Sequence, residues 1–175
     1  MQKVPFLSVI LFLLVSSFQL NGPKEKLQWL TLEEAEQKLA QEPRPLLIDL
    51  YTDWCGWCKV MDRKTYTNQD LIKYLNEKFY VVKLNAESKK EITWKGKLYS
   101  YNTGYKTHDI AIAFTNGELA YPSTVILPVN ENTPQAIAGM LEVKEMEMLT
   151  KYFGENKYGK VSFDDYAKSF SPSWK

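Results

Sequence analysis

Both cysteines of this 175-residue chain fall in one short stretch, Trp54-Cys55-Gly56-Trp57-Cys58-Lys59. Just before it, Leu46-Leu47-Ile48-Asp49-Leu50-Tyr51 is a near-continuous apolar run of strand length, the pattern of a strand buried on both faces. The cysteines therefore follow the end of a buried strand. A helix starting at Cys55 would set its sulfur among the unpaired amides of the positive helix end. That field favours thiolate over thiol, lowers the pKa and makes the sulfur a usable nucleophile. Cys58 lies one turn further in and can close a disulfide with Cys55 without large backbone movement. Cys55 is the expected attacker and Cys58 the expected resolver.

Other uses of two cysteines compete with this one. A structural disulfide is open, but a loop of about four residues removes little entropy from the unfolded chain. Zinc asks for about four ligands, and the chain offers two cysteines and the distant His108, so no metal is expected. Two buried thiols placed by chance remain a third alternative. Composition narrows the field further. Lys plus Arg total 22 against 21 Asp plus Glu, which leaves no electrostatic footprint for nucleic acid. A hydrophobic content of 45% with 25% charged residues belongs to a globular chain, and the length suits one domain.

The elements that must hold the motif alternate in type. Thr31-Leu32-Glu33-Glu34 is a capping box opening a helix to about Gln41, stopped by Pro43 and Pro45. Thr67-Asn68-Gln69-Asp70 caps a second helix with Leu71, Ile72, Leu75 and Phe79 on one side. Tyr80 to Asn85 is the next strand, so the order predicts an α/β layer fold with parallel pairing through a right-handed crossover. Residues 91–94 and 97–101 flank Lys95-Gly96 as a small hairpin. Thr107 is the expected N-cap of a short helix carrying Ile110, Ala113 and Phe114, with His108 on its surface. Ser123–Leu127 and Gln135–Leu141 are two further strands around an Asn-rich turn. Helices from about Lys144 to Phe153 and from Ser162 to Phe170 complete the chain.

The first 22 residues carry the layout of a secretory signal. Lys3 supplies the positive start, Val9 to Val15 the apolar run, and Ser16-Ser17 the small residues before a polar stretch. Cleavage after Ser17, or an uncleaved anchor, would both put residues 23–175 outside the cytoplasm as a single domain with its core at about 46–153. Disulfides persist there.

The stretch from Leu47 to Lys59 resembles the active-site strand and turn of the thioredoxin superfamily. Val82-Lys83-Leu84-Asn85 is similar to that family's next strand, and Tyr121-Pro122-Ser123-Thr124 to its cis-proline turn. The resemblance implies a thioredoxin fold. This would be a central mixed sheet flanked by helices, with an insertion before the cis-proline strand and a short C-terminal helical extension. It places Asp49, six residues before Cys55, as a buried carboxylate with Lys83 near it, and Trp54, Gly56, Trp57, Tyr121 and Pro122 on the substrate side. The exported setting and the Trp-Cys-Gly-Trp-Cys-Lys form look like the thioredoxin-like proteins of bacterial envelopes.

The residues themselves suggest roles. A carboxylate inside an apolar strand is costly to ionise, so burial should raise the Asp49 pKa, and Lys83 should moderate that shift. Held near neutrality, Asp49 can take the proton of Cys58; a plain structural ion pair is the alternative. Pro122 cannot continue a ladder, and a cis turn there would leave the Tyr121 backbone free for an extended substrate. Trp57 stands where many family members have proline, so no redox potential carries over. The segment Ser88 to Lys106 exceeds a minimal thioredoxin by roughly a hairpin's length. Its aromatics Trp94, Tyr99, Tyr101 and Tyr105 would form either a partner-binding rim or a cluster covering the sheet edge.

The expected function is thiol–disulfide exchange on protein disulfides in the periplasm or cell envelope, in the reducing direction. No cofactor is expected. The expected partners are protein substrates and a membrane electron donor, with the chain a monomer. A disulfide donor or isomerase, and a non-catalytic peptide-binding module, are the alternatives.

Overall fold

The structure, a computed structural model, describes residues 24–129 and 131–175, so the expected export segment lies outside the described residues. In chain order the elements are β1 (Trp29–Leu30), α1 (Leu32–Leu39), β2 (Leu46–Tyr51), α2 (Gly56–Lys64), α3 (Gln69–Lys78) and β3 (Tyr80–Asn85). Then come β4 (Ile92–Trp94), β5 (Lys97–Tyr99), β6 (Tyr101–Asn102), β7 (Thr107–His108) and α4 (Asp109–Thr115). The chain closes with β8 (Ser123–Leu127), β9 (Gln135–Ala138), α5 (Val143–Gly154) and α6 (Phe163–Ser169). The five-stranded sheet has the order β1-β3-β2-β8-β9, with β1, β3 and β2 parallel and β8 and β9 antiparallel to their neighbours. This is the mixed sheet with flanking helices of a thioredoxin fold.

Strand geometry sends alternate side chains to opposite faces, and β2 shows why its sequence is apolar throughout. Leu46, Ile48 and Leu50 enter one core with α1, α4 and the β4–β5 hairpin. Leu47 enters the other, with Met61 of α2, Leu71 and Leu75 of α3, and Met146 and Leu149 of α5. Asp49 points to this second side and is buried there. The helix starts are local devices. Thr31 makes both arms of its capping box with Glu34, Asn68 accepts from the Leu71 amide, and Ser162 accepts from that of Asp165.

Several boundaries differ from the sequence expectation. Edge strand β1 has only two residues, too few for a periodic signal. α1 ends at Leu39, where the Ala40 amide closes on Glu36. β9 stops at Ala138 rather than Leu141, because Gly139 takes φ +97° and turns its amide onto the Pro122 carbonyl at 2.8 Å. The N-cap of α4 is His108 rather than Thr107, which belongs to β7. His108 is fully buried, not a surface residue. Its Nε2 meets the Lys90 carbonyl at 3.0 Å and its Nδ1 accepts from the Ile110 amide at 3.3 Å. A neutral ring with the proton on Nε2 satisfies both contacts. The insertion folds as two small ladders, β4–β5 and β6–β7. Of its aromatics, Trp94 is buried edge-on against Phe114 and Tyr99 packs on the first core, as expected of a cover for the sheet, whereas Tyr105 is 71% exposed.

The C-terminal segment is fastened to α5 by a carboxylate whose partners are remote in sequence. Glu147 is fully buried and accepts from the Ser173 amide at 2.9 Å, the Ser173 hydroxyl at 2.6 Å, the Trp174 amide at 2.9 Å and Lys151 Nζ at 2.7 Å. Burial pushes this carboxyl up, but Lys151, Ser173 and the two amides outweigh it and hold it at about 2. Trp174 then packs on Tyr74 at 5.4 Å. Among the described residues, no helix is long and apolar enough to cross a membrane.

Glu147→Ala should remove about 3 kcal/mol in urea unfolding at pH 7, because it leaves Lys151 and two amides without their acceptor. It should also open the tail to carboxypeptidase. The native carboxyl is depressed below its ordinary 4.5, so its stabilisation should be complete above that pH and fade as pH falls towards 2.

Candidate active site

The turn after β2 carries Thr52 to Cys55, and the Cys55 amide bonds the Thr52 carbonyl at 3.2 Å. α2 begins at Gly56, so Cys55 is its N-cap rather than its first helical residue. The Cys55 sulfur performs the capping itself, accepting from the Cys58 amide at 3.0 Å. Cys55 and Cys58 are joined as a disulfide with their Cα atoms 5.3 Å apart. The sulfurs thus occupy the amide-rich end of α2, as the sequence suggested. Both cysteines are nearly buried, at 3% and 4% exposure, while their neighbours Trp54 and Trp57 are 66% and 64% exposed. Gly56 between them has open space where a Cβ would stand.

Trp54 is held in place despite its exposure. Its indole Nε1 donates to Glu87 at 3.0 Å, and its ring meets Tyr121 edge-on at 6.0 Å. The Tyr121 hydroxyl lies 3.2 Å from that of Thr107, which donates to the Ala86 carbonyl. The insertion therefore reaches the cysteine turn through Thr107. The Tyr121-Pro122 peptide is cis, and among the described residues the Tyr121 amide and carbonyl make no hydrogen bond. An unpaired backbone N–H and C=O of this kind can receive an extended chain.

Asp49 lies under the motif. It pairs in register with Lys83 on β3 and Thr124 on β8, so all three share one face of the sheet. Lys83 Nζ stands 3.5 Å from Asp49 Oδ2 and also pairs closely with Asp62 on α2. Asp62 follows Cys58 by one helical turn, so both look down from α2 on the same side. Burial dominates Asp49 and pushes it up to about 6; Lys83 pulls it down, and the Asp62 charge pushes it further up. A carboxyl poised there exchanges protons near neutral pH.

The structure thus brings Cys55, Cys58, Trp54, Trp57, Tyr121 and Pro122 to one end of the sheet, with Asp49 and Lys83 beneath. Asp62, Glu87 and Tyr66 were not singled out from sequence, and Thr107 and Thr124 were named only as a helix cap and as part of the cis-proline turn. Of the first three, Asp62 alone had a signal, its position four residues after Cys58 on a helix. Among the described residues, no cluster of three or more His, Cys, Asp or Glu side chains is arranged to hold a metal.

Two consequences follow for pH. Asp49 titrates at about 6 folded against 3.8 without its surroundings, so folding binds its proton and stability falls as pH rises from about 4 to 6. At ~1.4 kcal/mol per pH unit, Asp49→Asn should gain up to about 3 kcal/mol in urea unfolding at pH 7.5. The gain should vanish near pH 4. Asp62→Asn frees Lys83 for Asp49 and removes a like charge, so the Asp49 midpoint, followed by carboxyl carbon NMR, should fall below that of the parent.

Comparison with known proteins bears on the family and the fold. A family model described as Thioredox_DsbH, protein of unknown function, DUF255, matches residues 11–152. An uncharacterized protein of Caenorhabditis elegans is 29% identical over 79 residues, 45% of this chain and 10% of that protein. The chloroplastic thioredoxin Y of Oryza sativa subsp. japonica is 28% identical over 113 residues, covering 65% of this chain and 61% of its own length. This chain therefore matches only a small part of the worm protein and somewhat under two thirds of the rice one. Among solved structures, a thioredoxin-fold protein from Helicobacter pylori superposes with a TM-score of 0.55 at 16% identity, covering 73% of this chain and 81% of its own. At that identity the likeness speaks for the fold alone. The chain belongs to the thioredoxin-like DsbH/DUF255 family.

Proposed function

We propose that this protein is a thiol–disulfide oxidoreductase that reduces protein disulfides outside the cytoplasm. The observation that carries the reading is the Cys55–Cys58 pair at the start of α2, with Asp49 on the strand beneath it. In the reduced protein the Cys55 thiolate attacks a substrate disulfide. A Cys55–substrate disulfide forms and the first substrate sulfur leaves as thiolate. Cys58 gives its proton to the Asp49 carboxylate, and its thiolate attacks Cys55 Sγ. The Cys55–Cys58 disulfide forms and the second substrate sulfur leaves. The substrate has gained two electrons and the pair has lost them, so an external dithiol donor must restore the pair.

Trp54, Trp57 and the free Tyr121 backbone supply the docking surface for the substrate segment beside its disulfide. The apolar run at Val9 to Val15 supports action outside the cytoplasm. In an oxidising compartment the reducing direction needs an electron donor, which we take to be a membrane protein, and the net charge of +1 gives no reason to depart from a monomer.

Cys58→Ser should accumulate mixed disulfides through Cys55, seen as bands on non-reducing gels that collapse with reductant. Partners held equally well after both cysteines are replaced would show a peptide-binding module instead. The direction is read from the equilibrium potential of the pair, with Trp54 and Trp57 fluorescence as reporters. Thioredoxin stands at about −270 mV and a strong oxidant at about −120 mV. A value near the first is expected; one near the second would make the protein a disulfide donor or isomerase.

A further inference from the structure

Beneath the disulfide lies a group of buried polar atoms of which the proposed reaction uses only the Asp49 carboxyl. Asp49 Oδ1, Tyr66 OH and Thr124 Oγ1 are all buried, and none has a hydrogen-bond partner among the described residues. A buried hydroxyl without a partner costs about 1–3 kcal/mol, and Phe or Val would fill nearly the same space without it. The three atoms belong together. Thr124 stands directly opposite Asp49 across the β2–β8 ladder, where neighbouring Cβ atoms lie about 5 Å apart. Tyr66 follows α2 and enters the same core, its ring edge-on against Trp29 at 5.0 Å. The Lys83 ammonium lies over that same indole, 5.1 Å from its centre. Burial first, and then the Asp49 charge, hold the Tyr66 phenol well above 10; the Thr124 hydroxyl lies near enough to pull it down, though the two hydroxyls do not meet in hydrogen-bond geometry. The phenol stays protonated, and therefore a donor, at every pH of interest.

We propose that the hydroxyls of Tyr66 and Thr124 are the hydrogen-bond donors to the Asp49 carboxylate in its charged state, and so act as positioning residues that set the pH at which it takes the Cys58 proton. The inference deepens the proposed reaction and rests on it for its functional meaning. Lys83 from β3 addresses Oδ2, which leaves Oδ1 to be served. Asp62 from α2 holds Lys83 on its other side, Cys58 faces down from the same helix, and Thr124 and Tyr66 supply the neutral donors. A neutral carboxyl accepts such bonds only weakly, and the charged form roughly twice as strongly. When the carboxyl is charged, each donor can turn to it by side-chain adjustment, with the sheet register unchanged. Donation to the charged form lowers the pKa, against the upward push of burial.

The test is a carboxyl carbon NMR titration of the full chain in its oxidised form, where the cysteines do not titrate. Asp49→Asn identifies the resonance. With both donors engaged the parent midpoint is expected below about 6, the value that burial, Lys83 and Asp62 set without them. Tyr66→Phe and Thr124→Val should each move it up, and the double variant by about one pH unit, a tenfold change in the acid constant. Tyr66→Phe removes one oxygen atom, so the reading stands on that variant even where Thr124→Val disturbs β8. A midpoint unmoved or lowered in well-folded Tyr66→Phe overturns the inference. The titration needs no turnover. A raised midpoint in a protein that traps no mixed disulfide would sink the proposed activity and leave the donor assignment standing.

Discussion

The burial of the Asp49 carboxyl in a strand covered on both faces is the constraint around which the active end of this protein is organised. An ionised carboxylate there is expensive, and β2 gives it no relief from solvent. The sheet register answers with neighbours, Lys83 on one side and Thr124 on the other. The lysine is shared with Asp62, so its attraction for Asp49 is divided. The balance falls close to neutrality, where a carboxyl can both accept and release a proton. Had β3 paired one residue out of register, Lys83 would point into the opposite core and Asp49 would lose its counter-charge.

The surface above depends on a second set of fixed contacts. Trp54 is exposed but tethered to Glu87 and Tyr121, and Tyr121 is tied through Thr107 to the β3 end of the sheet. The insertion after β3 therefore works as a brace for the cysteine turn as well as a cover for the first core. His108 serves the brace from inside, joining the Lys90 carbonyl to the start of α4. The C-terminal tail does the same for the second core: Glu147 gathers its amides and lays Trp174 against Tyr74. Trp174 also shares a groove with Trp57 and Met140, so the tail reaches the edge of the cysteine surface.

Much of the architecture was legible because its causes are local. β2 and β3 have the expected bounds, since a run of apolar β-formers closed by polar turns admits few other structures. The capping residues Thr31, Asn68 and Ser162 act within a turn of themselves and could be named without a fold. β1, the end of β9 and the cap of α4 were missed or misplaced. The first is too short to show a period, and the others depend on long-range contacts to Pro122 and Lys90.

The sequence by itself determined the chemistry on offer: two sulfurs at the head of a helix, with one carboxylate inside an apolar strand behind them. Those follow from spacing and residue type. Only the tertiary structure decided the environment of that carboxylate. Asp62, Tyr66 and Thr124 reach it from a helix face, a turn and a distant strand, and Glu147 finds its donors 26 and 27 residues away. An electrostatic environment is a sum over neighbours in space, and most neighbours of a buried charge are far from it along the chain.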